Sequence, residues 1–72
     1  MIKEWTILHE CDDEYGHPTC WALEINDPDY GRFVWIDLLE DGTYDVVIDG
    51  VILANCGSLS FAKLWVSLRF DL

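Results

Sequence analysis

Basic residues are scarce in this chain. Four Lys plus Arg stand against fourteen Asp plus Glu, for a formal net charge of −10. Phosphate contacts need a basic surface, so this balance excludes a direct nucleic-acid binder. Proline and glycine are few, at two and five, which excludes collagen-like and low-complexity chains. Cysteine numbers three, an odd count that argues against a disulfide framework. No apolar run exceeds a few residues, so no segment is long enough to span a membrane. The opening Met1-Ile2-Lys3-Glu4-Trp5 lacks the basic start and apolar stretch of a secretory signal. The expectation is a cytoplasmic protein with reduced thiols.

What is present describes a small folded domain. The 72 residues are 51% hydrophobic and include four Trp, three Tyr and three Phe. That content is too apolar for an acidic disordered tail, and the length fits one domain, residues 1–72. Aromatic burial supports a core that would otherwise be marginal at this size. Ten uncompensated negative charges on roughly 4,600 Å² of surface make a dense field. Such a field serves solubility, and it also steers association with basic partners.

The segments read as strands followed by one helix. Positions 4–10 form a first strand, and the polar stretch 12–18 a loop. Positions 19–25 alternate, with Trp21, Leu23 and Ile25 on one side and Cys20, Ala22 and Glu24 on the other, the period of a half-buried strand. The stretch 26–31 is turn-rich, and 32–39 forms a third strand. Asp41-Gly42 between apolar runs favours a two-residue type I′ turn. That turn sets Leu39 opposite Tyr44, Asp37 opposite Val46 and Trp35 opposite Ile48. It leaves both sheet faces substantially apolar. Asp49-Gly50 repeats the signal and folds 51–55 back as a fifth strand. Ser58 or Ser60 caps a helix, whose stripe of Phe61, Leu64, Trp65, Leu68 and Leu72, widened by Ala62 and Val66, would pack on the sheet. The expected fold is α+β: an antiparallel four- or five-stranded meander with one C-terminal helix on one face.

Four groups of residues bear on function. His9, Cys11, His17 and Cys20 are zinc-ligand types within twelve positions, but their spacing matches no common zinc pattern. Glu10, Asp12, Asp13 and Glu14 form an acidic loop without calcium-loop spacing. No catalytic motif is present, and a −10 chain disfavours a thiolate nucleophile; no enzyme activity and no cofactor are expected. The fourth group joins acidity to aromatics: Asp37, Glu40, Asp41, Asp45 and Asp49 with Trp35 and Tyr44. Residues two apart on a strand are about 6.6 Å apart, so carboxylates there can resemble a line of phosphates to a basic groove. Tyr15 and Tyr30 are further candidate aromatic contacts.

The stretches Tyr30-Gly31-Arg32-Phe33-Val34-Trp35-Ile36 and 56–66, Cys-Gly-Ser-Leu-Ser-Phe-Ala-Lys-Leu-Trp-Val, resemble small proteins encoded by phages and prophages of Gram-positive bacteria. The resemblance implies an anti-defence role of the anti-CRISPR kind. The partner would be a basic, nucleic-acid-handling protein of a bacterial host, held by occupation of its basic groove. The alternatives are a structural or adaptor protein that homo-oligomerises through a sheet edge or apolar face, and a small zinc-stabilised module.

Overall fold

The computed structural model describes residues 4–71. Five strands, β1 (Thr6–Ile7), β2 (Cys20–Asp27), β3 (Gly31–Leu38), β4 (Tyr44–Ile48) and β5 (Val51–Cys56), precede one helix, α1 (Leu59–Arg69). The strands form one sheet in the order β1-β2-β3-β4-β5, and each pairs antiparallel with its neighbour. The α+β meander expected from the pattern is the fold. No described helix is long and apolar enough to cross a membrane.

The first strand is shorter than positions 4–10. After Ile7 the chain curls into a 3₁₀ turn, His9–Cys11, closed by Cys11 N–H donating to the Leu8 carbonyl at 3.0 Å. Leu8 N–H still reaches the Cys20 carbonyl at 3.0 Å, so the turn leaves the sheet without losing that bond.

The β3–β4 register differs from the two-residue turn by one position. Leu38 faces Tyr44, Asp37 faces Asp45, Ile36 faces Val46 and Trp35 faces Val47. Gly42 N–H donates to the Leu39 carbonyl at 3.0 Å, and Leu39 N–H to the Thr43 carbonyl at 2.8 Å. The loop is therefore three residues, Glu40 to Gly42, with Gly42 in the left-handed region at φ 84°. This is a type I turn followed by a glycine bulge. Asp41 holds it: its Oδ1 accepts the Thr43 N–H at 2.9 Å and the Thr43 hydroxyl at 2.6 Å. A one-residue slip exchanges the faces of a strand. It moves Tyr44, Val46 and Ile48 to the side of Val34, Ile36 and Leu38, while Phe33, Trp35 and Val47 lie on the other face. The Asp49-Gly50 turn is two residues long, as its sequence implies. Ile48 faces Val51, with φ 51° at Asp49 and 78° at Gly50.

The core lies between the Val34, Ile36 and Val46 side of the sheet and α1. Val34, Ile36, Val46, Ala62 and Val66 are fully buried, with Trp21, Leu23, Ile25, Ile48 and Cys56 around them. Ser58 caps α1, its hydroxyl accepting the Phe61 N–H at 3.1 Å. The helix is rotated from the expected stripe. Ala62 and Val66 face the sheet, whereas Phe61, Leu64 and Leu68 are 55%, 53% and 76% exposed. The small residues let α1 approach the sheet closely, and Trp65, Leu59 and Phe70 pack around them. Leu72 lies outside the described residues.

Candidate partner-binding face

The sheet face away from α1 has a row structure set by strand register. Cys20, Asp37, Asp45 and Asn55 form one cross-strand row. Thr6, Ala22, Trp35, Val47 and Ile52 form the next. Glu24 and Phe33 lie beyond them. No described helix covers this face, since α1 packs on the other.

Its centre is aromatic. The Phe33 and Trp35 rings lie 5.6 Å apart, tilted by 36°, and both side chains are half-buried. Two open grooves flank the pair. One, of about 380 Å³, is bordered by Glu4, Thr6, Leu8, Ala22 and Glu24; the other, of about 440 Å³, by Asp29, Tyr30, Arg32 and Asp49. Carboxylates thus rim an apolar centre. Arg32 shows what the face accepts. Its guanidinium stands 5.2 Å from the Phe33 ring centroid while Nε donates to Glu24 Oε2 at 2.8 Å.

Asp37 and Asp45 are direct cross-strand partners. Like charges in that position destabilise a sheet. One side is partly relieved by Asn55, whose Nδ2 donates to Asp45 Oδ1 at 2.9 Å and to the Thr43 hydroxyl at 2.9 Å. Asp37 neighbours Cys20, whose thiol is pushed up to about 12, by burial first and then by hydrogen bonds to Cys11 and Asp37. Burial, and the Asp45 charge after it, also raise the Cys56 thiol.

The remaining acids divide by role. The β1–β2 and β3–β4 connections lie at one end of the meander, so Glu10, Asp12, Asp13, Glu14, Glu40 and Asp41 share the end occupied by Asp37 and Asp45. Asp49 lies at the opposite end, in the β4–β5 turn. Asp41 and Asp13 organise their loops. Asp13 Oδ1 accepts the N–H groups of His17 and Tyr15, each at 2.8 Å. These bonds, that of His17 first, hold its carboxyl below the usual carboxylate range. Hydrogen bonds from Thr43 lower Asp41 in the same way. Tyr44 is on the α1 side, its ring 5.9 Å from Trp21.

Of the four zinc-ligand types Cys11 and Cys20 meet, but no three of them converge. His9 Nδ1 pairs with Asp12 at 3.2 Å and His17 Nδ1 with Asp13 at 3.2 Å. Among the described residues no group of three or more His, Cys, Asp or Glu can hold a metal ion. Phe33, Val47 and Glu24 join the open face without having been singled out as site residues; the alternation of 20–24 and 33–35 was the signal for Glu24 and Phe33. No protein-family model, curated protein or solved structure matches this chain.

Proposed function

We propose that this is an acidic binding protein whose open sheet face occupies an arginine- and lysine-rich surface of another protein. The observation that carries the reading is the Phe33–Trp35 pair, rimmed by Glu4, Glu24, Asp29 and Asp49 and adjoined by the Asp37–Asp45 pair. Aromatic faces attract guanidinium groups, and carboxylates around them pair with further cations in a partly dried setting. An arriving arginine would relieve the Asp37–Asp45 repulsion. Surfaces of that chemistry are those that handle nucleic acid. The resemblance to phage and prophage proteins supports a host defence nuclease as the target class. The mechanism is steric and electrostatic: the acidic face fills the groove and excludes the phosphate backbone.

The test is capture from a bacterial lysate by the tagged protein, washed at low and at high salt. A nucleic-acid enzyme retained at low salt, released at high salt and not captured by Trp35→Ala or by Asp37→Asn/Asp45→Asn would support the reading. Retention of the same partner by both variants would contradict the assignment of the face.

A further inference from the structure

The β1–β2 connection is tied back onto the sheet, and two thiols meet where it closes. After Leu8 the 3₁₀ turn carries Cys11 towards the start of β2. Cys11 N–H donates to the Leu8 carbonyl at 3.0 Å, and Leu8 N–H to the Cys20 carbonyl at 3.0 Å. The Thr19 hydroxyl donates to the Cys11 carbonyl. Within the loop so closed, Asp13 N–H donates to the His17 carbonyl at 3.0 Å, and the Asp13 carboxylate accepts the N–H groups of Tyr15 and His17. These bonds hold both ends of the ten-residue segment 11–20. They leave the Cys11 and Cys20 thiols hydrogen-bonded to each other. The function proposed above uses neither thiol.

The thiols differ in access. Cys11 is exposed, Cys20 half-buried and Cys56 buried. Cys20 lies on the open face, across from Asp37, and its thiol also hydrogen-bonds to that carboxylate. Burial and the Asp37 charge keep Cys20 protonated, so Cys11 reacts first. Cys56 pairs across the strands with Tyr44, on the α1 side, so the sheet separates it from the other two. An exposed thiol beside a shielded one is the arrangement in which the first is oxidised and the second resolves it. A disulfide also needs its two sulfurs brought together without backbone movement, and the loop bonds do that.

We propose that Cys11 and Cys20 form a reversible dithiol–disulfide site whose oxidant is hydrogen peroxide. The Cys11 thiolate attacks one peroxide oxygen. The O–O bond breaks, a sulfenic acid forms, and hydroxide leaves and takes up the proton shed by Cys11. The Cys20 sulfur then attacks the Cys11 sulfur. The S–S bond forms, the S–O bond breaks, and hydroxide leaves as water with the Cys20 proton, for which Asp37 is the adjacent acceptor. Two thiols and one peroxide give one disulfide and two waters; the sulfurs lose the two electrons that the peroxide oxygens gain. Charge selects the oxidant. Peroxide is uncharged, whereas glutathione disulfide is an anion that a chain of net charge −10 repels. The disulfide locks the β1–β2 loop to β2 and ends the thiol hydrogen bond to Asp37. The site follows from the loop geometry and does not depend on the reading of the open face.

The test treats the reduced full chain with hydrogen peroxide at pH 8 and alkylates it with iodoacetamide in denaturant. Trypsin cuts after Lys3 and Arg32, so peptide 4–32 holds Cys11 and Cys20, and Cys56 lies in another peptide. Without peroxide, peptide 4–32 takes up an alkyl group on each cysteine. After peroxide it is expected to take up none and to have lost a pair of hydrogens, while the Cys56 peptide is still alkylated. Dithiothreitol is expected to restore both alkylation sites. The oxidised chain is expected to melt roughly 5 °C higher than the reduced one, a rise that Cys11→Ser does not show. In Cys20→Ser, dimedone is expected to trap the sulfenic acid of Cys11 in greater yield than in wild type. A peptide 4–32 that keeps both alkyl groups, sulfinic or sulfonic acid at Cys11 with Cys20 still alkylated, or an oxidised chain that melts no higher than the reduced one would overturn the proposal.

Discussion

At the scale of single residues, acids that look alike in the sequence do different work. Asp13 and Asp41 use their carboxylates to hold loops, and both have lowered pKa values. A carboxyl whose folded pKa lies below its unfolded value stabilises the fold above the unfolded value. That contribution is lost as pH falls through the folded value. Asp13→Ala and Asp41→Ala are therefore expected to lower the melting temperature at pH 7. The difference from wild type should shrink below about pH 4, where wild-type carboxylates begin to protonate. Thermal melts across pH 2.5–7 check this; an offset independent of pH would contradict the assigned bonds. The cysteines divide in the same way. Cys20 is pushed up to about 12 and Cys56 is buried and raised, whereas Cys11 is exposed. Iodoacetamide at pH 8 followed by mass spectrometry is expected to label Cys11 well before the other two. Sequence reading could name all three thiols but not rank them, because the ranking depends on the Cys20–Asp37 register.

At the scale of elements, the period-two pattern of β2 and the Asp49-Gly50 turn were legible because each depends on neighbours in the chain. The Asp41-Gly42 turn was not. Its length is decided by the Asp41 carboxylate bonding Thr43, and by the burial of Tyr44, Val46 and Ile48 against the core beneath α1. The helix stripe misled for a related reason. Phe61, Leu64 and Leu68 satisfy helical spacing as well as Ala62 and Val66 do, and only close approach to the sheet favours the smaller pair. Val66→Ala is expected to cost about 2 kcal/mol, and Leu68→Ala less than about 0.5 kcal/mol. Denaturant unfolding at low protein concentration measures both; equal losses would contradict the helix rotation. Gly42→Ala is expected to cost about 1 kcal/mol, since φ 84° is unfavourable for a residue with a Cβ. Ser58→Ala is expected to cost about 1 kcal/mol through loss of the cap.

At the scale of the molecule, charge is segregated. Acids lie on the open face and the loops, while positions 50–70 have none. The net charge was plain from composition, but the assignment of acids to a face awaited the register that opposes Asp37 to Asp45. Self-repulsion at −10 means that the melting temperature is expected to rise with added salt. Binding of a basic partner to the open face is expected to weaken as attraction is screened. The open face is tested most directly by amide chemical shifts of the labelled protein titrated with an arginine-rich peptide at low salt. Shifts centred on Phe33, Trp35, Asp37 and Asp45, reduced at high salt and in Trp35→Ala, are the expected result. Shifts confined to β5 and α1, or spread evenly over every acidic loop, would contradict the account.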